Sequence, residues 1–418
     1  MEATNKEMRN KPYPYWKTIV LVMTAGWIAI WIYRTSLTPI YPQISEYFGN
    51  ISDAQIGSIS SLYFLGYVLM QIPSGMLVDK FGQKVVLIPG FMLFGLGALI
   101  VALASSVTMV YVGSVLAGLG CGTYYGVAYS LTGKYVPSSR RSVSTAIVNS
   151  GTAVGSGLGL IISSFFVAQI GFPWQTMMFL VVALVIILVF VFAKFIKSEK
   201  QAKDVVLEKP LVKEVISDKA GKKAKHLFKP RMIGAYILYF STCYAYYLTD
   251  TWLPNFLATE RGFEGSTIGF ASSLVFLAAI PGALIFSRVA DKFYDKKIAL
   301  IIFLELIAAA MMFMAVVAPG TGLMMTGLIS YGFFGKLAVE PIIISWLVER
   351  VPSRGMGTTL GFFNFFGMTA SVIVPSLTGF ISDVTGSKVG GFYLSVFIII
   401  FGTASFYLLN KYHEKKYA

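Results

Sequence analysis

The sequence predicts an all-α membrane protein, with twelve transmembrane helices in two pseudo-symmetric six-helix bundles. Three observations predict this fold class. Of the 418 residues, 56% are hydrophobic and 13% are charged, whereas a soluble domain carries about 25% charged residues. Apolar runs recur along the chain at lengths that cross a bilayer, and a fixed spacing relates the two halves of the sequence. This balance excludes a soluble enzyme and a disordered chain.

The individual helices follow from the lengths of the apolar runs. An α-helix rises 1.5 Å per residue, so about 20 apolar residues are needed to cross the hydrocarbon core. The runs show no strict alternation of polar and apolar residues, which excludes the strands of a membrane barrel. We predict helices 1 to 12 at 18–44, 54–78, 84–104, 107–134, 142–168, 174–196, 231–258, 266–290, 297–318, 321–348, 355–383 and 389–410.

The basic residues predict the orientation of these helices. Of the 34 Lys and Arg residues, 30 fall in the termini and in the loops that follow even-numbered helices. By the positive-inside rule, both termini are cytoplasmic and the number of spans is even. The formal net charge of +14 therefore faces anionic lipid headgroups rather than nucleic acid. We expect a multi-pass protein of the plasma (inner) membrane.

The two halves of the sequence are repeats of one unit. Asp79-Lys80-Phe81 recurs as Asp291-Lys292-Phe293, and Gly57 recurs as Gly269, with 212 residues between the members of each pair. Several matches in one register indicate the duplication of a six-helix unit. We therefore predict an N-terminal bundle (1–196), a Lys-rich cytoplasmic linker (197–230) and a C-terminal bundle (231–418).

The loop between helices 2 and 3 carries a recognisable motif. Its residues are Gly75, Asp79, Lys80, Gly82 and Lys84, with Asp291 at the position of Asp79 in a degraded copy. The motif resembles the helix 2–3 loop signature of the major facilitator superfamily, which implies two bundles around a cavity that opens alternately to each side. Two interpretations of the motif stay open. The Asp among lysines can latch one state of a cytoplasmic gate, or the charges only end the helices and set the topology.

Few ionisable residues lie inside the predicted spans, where a charge costs about 2.5–3.5 kcal/mol at the centre of a helix. Arg34 on helix 1 is the clearest case, because a guanidinium does not deprotonate and no acidic residue lies within four positions of it. Its fork of donors suits a carboxylate or a phosphate. Arg34 either binds a substrate anion or is the structural partner of an acid on another helix, such as Asp250.

Other candidate substrate contacts are polar side chains on helices 2, 4, 7, 10 and 11. Phenols and amides can hydrogen-bond an anion without adding a charge to the bilayer, and a lysine adds a second positive site. Ordinary helix packing explains each of these residues equally well. The candidates are Tyr67, Tyr125, Tyr129, Tyr247, Lys336 and Asn364.

A narrower resemblance concerns helices 1, 2 and 7. Arg34, followed by Ser36-Leu37 and Pro42, Tyr67 ahead of Gln71-Ile72-Pro73, and Thr251-Trp252-Leu253-Pro254 resemble the anion:cation symporter branch of the superfamily. That branch includes carriers of sugar acids and other organic carboxylates, coupled to protons or sodium. The resemblance implies that Arg34 binds the substrate anion and that Tyr67 supports it.

Two departures from that branch affect the coupling ion. The branch commonly has an Asp before the helix 1 Arg, where this chain has Tyr33, and a helix 4 Glu where this chain has Cys121. The proton-handling role of those acids therefore does not carry over. Our coupling candidates are Glu340, which lies one turn from Lys336, and Asp250. A static ion pair that braces helix 10 is the alternative interpretation of Lys336 and Glu340.

These observations predict a function in transport. We expect a secondary transporter of a small organic anion, a mono- or dicarboxylate such as a sugar acid, coupled to a proton or a sodium ion. The alternatives are an anion exchanger or facilitator, an exporter of amphipathic compounds in which Arg34 is structural, and a transporter-like receptor that signals through the linker. Two Cys and the lack of metal-ligand spacings predict no disulfide framework, no metal and no cofactor. We expect a monomer that binds no nucleic acid.

Overall fold

The computed structural model of the chain describes residues 14–197, 227–293, 296–351 and 356–417. Nearly all of these residues are helical, and twelve long helices follow one another along the chain, as the apolar runs predict. We number them α1 (Tyr15–Ser36), α2 (Asp53–Phe81), α3 (Gln83–Ala102), α4 (Val107–Tyr135), α5 (Ser138–Ser163), α6 (Gln175–Phe195), α7 (Pro230–Arg261), α8 (Ser266–Lys292), α9 (Lys297–Val317), α10 (Thr321–Val348), α11 (Met356–Thr385) and α12 (Val389–Tyr417).

The first helix is shorter than predicted. The apolar run predicts a helix over 18–44, but α1 ends at Ser36, and a 3-10 turn (Thr38–Ile40) and a short helix (Tyr41–Tyr47) follow it. Pro39 and Pro42 explain the difference, because proline has no backbone N–H to continue the ladder of hydrogen bonds. Arg34 consequently lies in the last turn of α1.

Two helices are broken at equivalent positions of the repeat. α4 consists of Val107–Gly122 and Tyr124–Tyr135, with Thr123 between them. α10 consists of Thr321–Phe334 and Lys336–Val348, with Gly335 between them. Thr123 and Gly335 are 212 residues apart in the sequence, which is the spacing of the repeat. The break makes Lys336 the first residue of a helical segment.

α7 is the least apolar of the long helices. Within the described ranges, eleven spans are long and apolar enough to cross a membrane, and α7 is not among them. It has 32 residues and is continuous, but it carries Asp250 and several Tyr and Thr residues, most of them buried against other helices. A helix that is enclosed by protein need not be apolar on every face. α7 therefore completes the twelve spans as an interior helix.

The two bundles use the same helix pairs. In the N-terminal bundle, α1 packs on α5 and α6, and α4 packs on α2 and α3. In the C-terminal bundle, α7 packs on α11 and α12, and α10 packs on α8 and α9. Each contact of the first bundle thus recurs six helices later. The pseudo-symmetry that the repeat predicts is confirmed.

The bundles meet through α2 with α11 and through α5 with α8. Gly57 of α2 lies against the carbonyl of Pro375, and Gly269 of α8 lies against the carbonyl of Leu160. A Cβ atom at either glycine would overlap the facing backbone, so only glycine permits this close approach. The repeated glycine of the sequence therefore marks the two contacts between the bundles.

We call the side of the bundle that holds both ends of the described chain the terminal side, and the other the opposite side. On the opposite side, Asp383 at the end of α11 accepts hydrogen bonds from the backbone N–H groups of Asp53 (2.8 Å) and Ala54 (3.0 Å). The Asp53 carboxylate in turn pairs with Lys388 at 2.8 Å and accepts from Ser382 at 2.6 Å. We call Asp53, Ser382, Asp383 and Lys388 the opposite-side network.

The terminal side is more open. Near that end of α2 and α11, no described atom lies within 4 Å of the position that a Cβ would take on Gly75 or Gly361. The described hydrogen bonds between α2 and α11 therefore lie mostly on the opposite side, and the one nearest to the terminal side joins Gln71 and Asn364.

Some predictions fall outside the described residues. Most of the linker (198–226), residues 294–295 and 352–355, and the side chain of Asp291 are not described. The domain boundaries and the cytoplasmic placement of the linker remain predictions.

Candidate substrate site

Arg34 lies in a cage of aromatic rings between α1 and α2. Its side chain is 8% exposed, and its Nε donates a hydrogen bond to the Tyr63 hydroxyl at 3.1 Å. The guanidinium carbon lies 4.5 Å from the ring centre of Trp31 and 4.7 Å from those of Phe64 and Tyr67. Cation–π attraction contributes up to about 2 kcal/mol at a desolvated site. The partial negative charge at the end of α1 adds to it.

These contacts do not neutralise the charge of Arg34. Among the described residues, no carboxylate lies within the 4.0 Å ion-pair distance of the guanidinium, and Nη2 is buried without a hydrogen-bond partner. Asp250 of α7 is 2% exposed, and its Oδ1 also lacks a partner. The described structure therefore contains no ion pair between Arg34 and Asp250, although both are buried.

The structure places two predicted phenols at this site. Tyr67 stacks on Tyr63, with ring centres 6.5 Å apart, and lies under the guanidinium of Arg34. Tyr247 of α7 approaches from the other bundle, because its ring centre is 5.0 Å from that of Phe64. Its hydroxyl donates to the sulfur of Met368 at 3.2 Å. Arg34, Tyr67 and Tyr247 therefore line one region, which α1, α2 and α7 enclose.

Tyr125 and Tyr129 lie on the second segment of α4. Their ring centres are 4.6 Å apart, and Tyr125 also faces Trp27 of α1 at 6.4 Å. Tyr125 is 44% exposed. Tyr129 donates a hydrogen bond to the amide oxygen of Asn149 on α5. Among the described residues the Tyr125 hydroxyl therefore has no hydrogen-bond partner, whereas the Tyr129 hydroxyl is engaged by Asn149.

Lys336 and Glu340 form an ion pair on α10. Lys336 Nζ lies 2.7 Å from Glu340 Oε2, and Tyr239 of α7 donates to the same carboxylate. Lys336 is the first residue of its helical segment, where a positive charge interacts unfavourably with the helix dipole. The ion pair with Glu340 offsets this unfavourable interaction. Lys336 Nζ is also 5.1 Å from the ring centre of Tyr246. The pair is formed in this conformation, as the static interpretation requires.

Asn364 lies at the contact between the bundles. Its amide nitrogen donates to the side-chain oxygen of Gln71 on α2 at 3.2 Å. Gln71 is one turn beyond Tyr67, toward the terminal side. Asn364 therefore joins α11 to α2, and a role in substrate binding would require this amide pair to separate.

The predicted gating loop lies at the terminal-side end of α2. Asp79 and Lys80 are exposed, Gly82 adopts a φ of 82° that favours glycine, and Lys84 Nζ donates to the carbonyl of Ala193 at 2.6 Å. Gly75 has no close neighbour. The latch role of Asp79 remains a prediction.

Three residues of the Arg34 cage were not predicted from the sequence. The rings of Trp31 and Phe64 lie as close to the guanidinium carbon as that of Tyr67. Tyr63 lies 5.2 Å away and accepts the hydrogen bond from Nε. The available signal was helical spacing, since Trp31 lies one turn before Arg34 and Tyr63 lies one turn before Tyr67. In the described part of the chain, no group of three or more His, Cys, Asp or Glu residues is arranged to hold a metal ion.

Comparison with known proteins identifies the family. The model of the Major Facilitator Superfamily matches residues 22–375 and 235–418. The chain is 25% identical to the hexuronate transporter of Bacillus subtilis (strain 168) over 399 residues, which cover 92% of each chain. It is 24% identical to the D-galactonate transporter of Escherichia coli O6:H1 over 414 residues, which cover 94% of each. These relatives agree with the predicted resemblance to organic-anion carriers.

A solved structure supports the fold. A bacterial homologue of the human lysosomal transporter Spinster, in an inward-facing and occupied conformation, has a TM-score of 0.77 at 15% identity. The match covers 96% of this chain and 98% of that chain. The protein is therefore a multi-pass membrane transport protein rather than an enzyme, and it belongs to the Major Facilitator Superfamily.

Proposed function

We propose that the protein is a secondary active transporter of a small organic anion, a mono- or dicarboxylate such as a sugar acid. It moves this anion across the plasma membrane by alternating access, coupled to a cation. The observation that carries the proposal is the buried guanidinium of Arg34, which has no carboxylate partner among the described residues. The hexuronate and D-galactonate named for two relatives are anions of this class.

The carboxylate binds to the free edge of the guanidinium. Tyr63 occupies Nε, and within the described residues neither Nη atom forms a hydrogen bond. Two parallel N–H···O bonds from Nη1 and Nη2 fit one carboxylate. Each contributes about 1.5–3 kcal/mol, because both donor and acceptor are charged. The Tyr67 and Tyr247 hydroxyls are the nearest predicted groups to orient the rest of the substrate.

The two cations, Arg34 and Lys336, limit how many negative charges of a substrate the site can bind. Arg34 alone suffices for a monocarboxylate. A dicarboxylate that also reached Lys336 would have to displace Glu340 from its 2.7 Å contact. Glu340 and Asp250 are thus the carboxyl groups whose surroundings change when an anion arrives. Both are the coupling candidates predicted from the sequence.

Alternating access is supported by the difference between the two sides. The opposite-side network and the contacts of Gly57 and Gly269 close one side, while Gly75 of α2 and Gly361 of α11, toward the terminal side, have open space beside them. The termini and the loops that follow even-numbered helices carry 30 of the 34 Lys and Arg residues, so by the positive-inside rule we place the terminal side in the cytoplasm. The conformation is then inward-facing, and the opposite-side network must break when the transporter opens outward.

Uptake by reconstituted vesicles tests the proposal. Vesicles that contain the full-length protein are given labelled D-galactonate, D-glucuronate or tartrate, with and without a pH gradient. We expect Arg34→Ala to raise the KM at least 100-fold, since about 3 kcal/mol or more of binding is lost. Arg34→Lys keeps the positive charge but not the two parallel N–H donors, so it should recover only part of the affinity for the anion.

Arg261→Lys is the matched control, because Arg261 lies at the end of α7 and donates to the carbonyls of Ala318 (3.2 Å) and Val316. It should leave the KM within about twofold. A KM that is unchanged in Arg34→Ala would remove Arg34 from the site and with it the proposal.

A second candidate is an anion exchanger or facilitator. The formed ion pair between Lys336 and Glu340 favours it, because a static pair needs no titrating acid. The same vesicles separate the candidates: an exchanger takes up label only against internal anion and does not respond to the pH gradient. Export of amphipathic compounds would show instead as efflux of such compounds, with no uptake of the three acids.

A further inference from the structure

Glu305 is a buried acid outside the region of Arg34. It is 1% exposed and lies near the middle of the 21-residue helix α9. An ionised carboxylate at such a position costs about 2.5–3.5 kcal/mol on insertion scales unless it is paired. Glu305 therefore needs either a cation or a proton.

The structure supplies no cation to Glu305. The groups that face it are Thr242 and Cys243 of α7 and Tyr331 of α10. α12 also packs on α9, and its sequence holds no charged residue between Lys388 and Lys411.

The nearest lysines are engaged elsewhere. Lys297, two turns earlier on α9, pairs with Glu349, and Lys336 of α10 pairs with Glu340. Among the described residues, no Lys or Arg lies within 4.0 Å of the Glu305 carboxyl group. Its charge has no compensating partner.

A hydrogen bond from Thr242 does not replace the missing cation. Thr242 Oγ1 lies 3.0 Å from the carbonyl oxygen of Leu238 and donates to Oε1 of Glu305. Thr242 has one hydrogen to donate, so an ionised Glu305 would leave most of its lone pairs unsatisfied in a site without a cation. A neutral Glu305 keeps the contact with Thr242 and removes the cost of a buried charge.

We propose that Glu305 holds a proton in this conformation and is the residue that carries the coupling proton. This inference rests on the proposed cation-coupled transport and names its cation. Sodium sites in transporters use unwound backbone carbonyls and several oxygens, but α7 and α9 are continuous at Thr242 and Glu305. A proton needs only the carboxyl group and one acceptor.

α7 connects this proton site to the substrate site. Thr242 lies four and five residues before Tyr246 and Tyr247 on the same helix. Tyr247 packs on Phe64, which contacts the guanidinium of Arg34. A movement of α7 that follows anion binding therefore also moves Thr242 relative to Glu305. Loss of the Thr242 contact removes the only described hydrogen-bond partner of the Glu305 carboxyl group.

Infrared difference spectroscopy tests the proton without any substrate. The purified full-length protein is compared with Glu305→Gln at neutral pH for the carbonyl stretch of a protonated carboxyl group. We expect a band that disappears in Glu305→Gln, shifts in Glu305→Asp and is lost as the pH is raised. Glu340→Gln is the matched control, because Glu340 is paired with Lys336 and should contribute no such band. An identical spectrum in Glu305→Gln would overturn the inference, whatever the protein transports.

Uptake tests whether this proton drives transport. For one proton per anion, a gradient of one pH unit supports at most about tenfold accumulation of D-galactonate beyond the level without a gradient. We expect Glu305→Gln to lose this accumulation, and Glu305→Asp, which still carries a proton, to retain it with a shifted pH profile. Two results would refute proton coupling through Glu305. The wild type could accumulate the anion with a sodium gradient instead of a pH gradient, or Glu305→Gln could keep the full accumulation that a pH gradient drives. Failure of the wild type to take up any of the acids would instead count against the proposed function.

Discussion

Asp383→Asn should weaken the closure of the opposite side by a calculable amount. The two carboxylate oxygens of Asp383 accept from the first two backbone N–H groups of α2, at Asp53 and Ala54. Asparagine offers one acceptor oxygen, so one of these bonds is lost, together with a negative charge at the positive end of α2. A hydrogen bond to a charged group contributes about 1.5–3 kcal/mol. Because Asp383 is exposed, we expect about 1–2 kcal/mol, a 5- to 30-fold shift toward the outward-open state.

A buried reporter on α2 measures that shift. Ser61 is 7% exposed and accepts from Ser376 of α11 at 2.8 Å, so a cysteine at this position reacts only when α2 and α11 separate. The natural cysteines Cys121 and Cys243 are both buried and should give little background. A membrane-impermeant maleimide, added from the opposite side, should modify Ser61→Cys 5 to 30 times faster when Asp383→Asn is also present.

The control removes a charge from the same side without touching the bundle contact. Glu264, between α7 and α8, is an exposed carboxylate, and Glu264→Gln should change the rate by less than about twofold. The reasoning is refuted if Asp383→Asn leaves the rate unchanged, or if both substitutions accelerate it equally.

Three further predictions concern packing, the α10 ion pair and the Arg34 cage. Gly57→Val should abolish D-galactonate uptake, because a side chain there would overlap the Pro375 carbonyl. Gly133→Val, in open space on α4, should keep the rate within about twofold. Equal losses would contradict this account. Lys336→Met should lower thermal stability by about 1–2 kcal/mol, because it leaves the half-buried Glu340 carboxylate without its cation. Adding Glu340→Gln should restore most of this loss. A double variant as unstable as the single one would argue against the pair. Tyr63→Phe should raise the KM for D-galactonate about 2- to 12-fold, because it removes a hydrogen bond of about 0.5–1.5 kcal/mol that orients Arg34. An unchanged KM would show that the aromatic rings alone position the guanidinium.

The sequence predicts the helices and their pairing better than their interruptions. The apolar runs locate all twelve long helices, and the repeat identifies Gly57 and Gly269 as equivalent positions before their contacts are known. The early end of α1 is also readable in the sequence, since Pro39 and Pro42 cannot continue the ladder of hydrogen bonds. The break at Thr123 has no such signal, because threonine is compatible with a helix and only its equivalence to Gly335 marks the position.

The sequence likewise predicts one part of the candidate site and not the rest. Arg34 stands out in the sequence because a permanent charge in a spanning helix is rare and costly. Its aromatic partners Trp31 and Tyr63 do not stand out, since aromatic side chains occur throughout the chain. The contact of Asn364 with Gln71 joins residues 293 positions apart, and no local pattern encodes it. Sequence spacing therefore finds the charge, while only the packing of α1, α2 and α11 shows what surrounds it.

The positions of Arg34 and Glu305 explain why α7 is more polar than the helices that pack on it. Arg34 belongs to the N-terminal bundle and Glu305 to the C-terminal bundle, and α7 contacts the surroundings of both through Tyr247 and Thr242. In the proposed cycle the anion binds in one bundle and the proton in the other, so coupling requires an element that responds to both. Its Tyr, Thr and Asp residues lower the hydropathy of α7 below that of its neighbours. An apolar α7 could still span the membrane, but it would offer no hydroxyl to Glu305 and no phenol to the substrate.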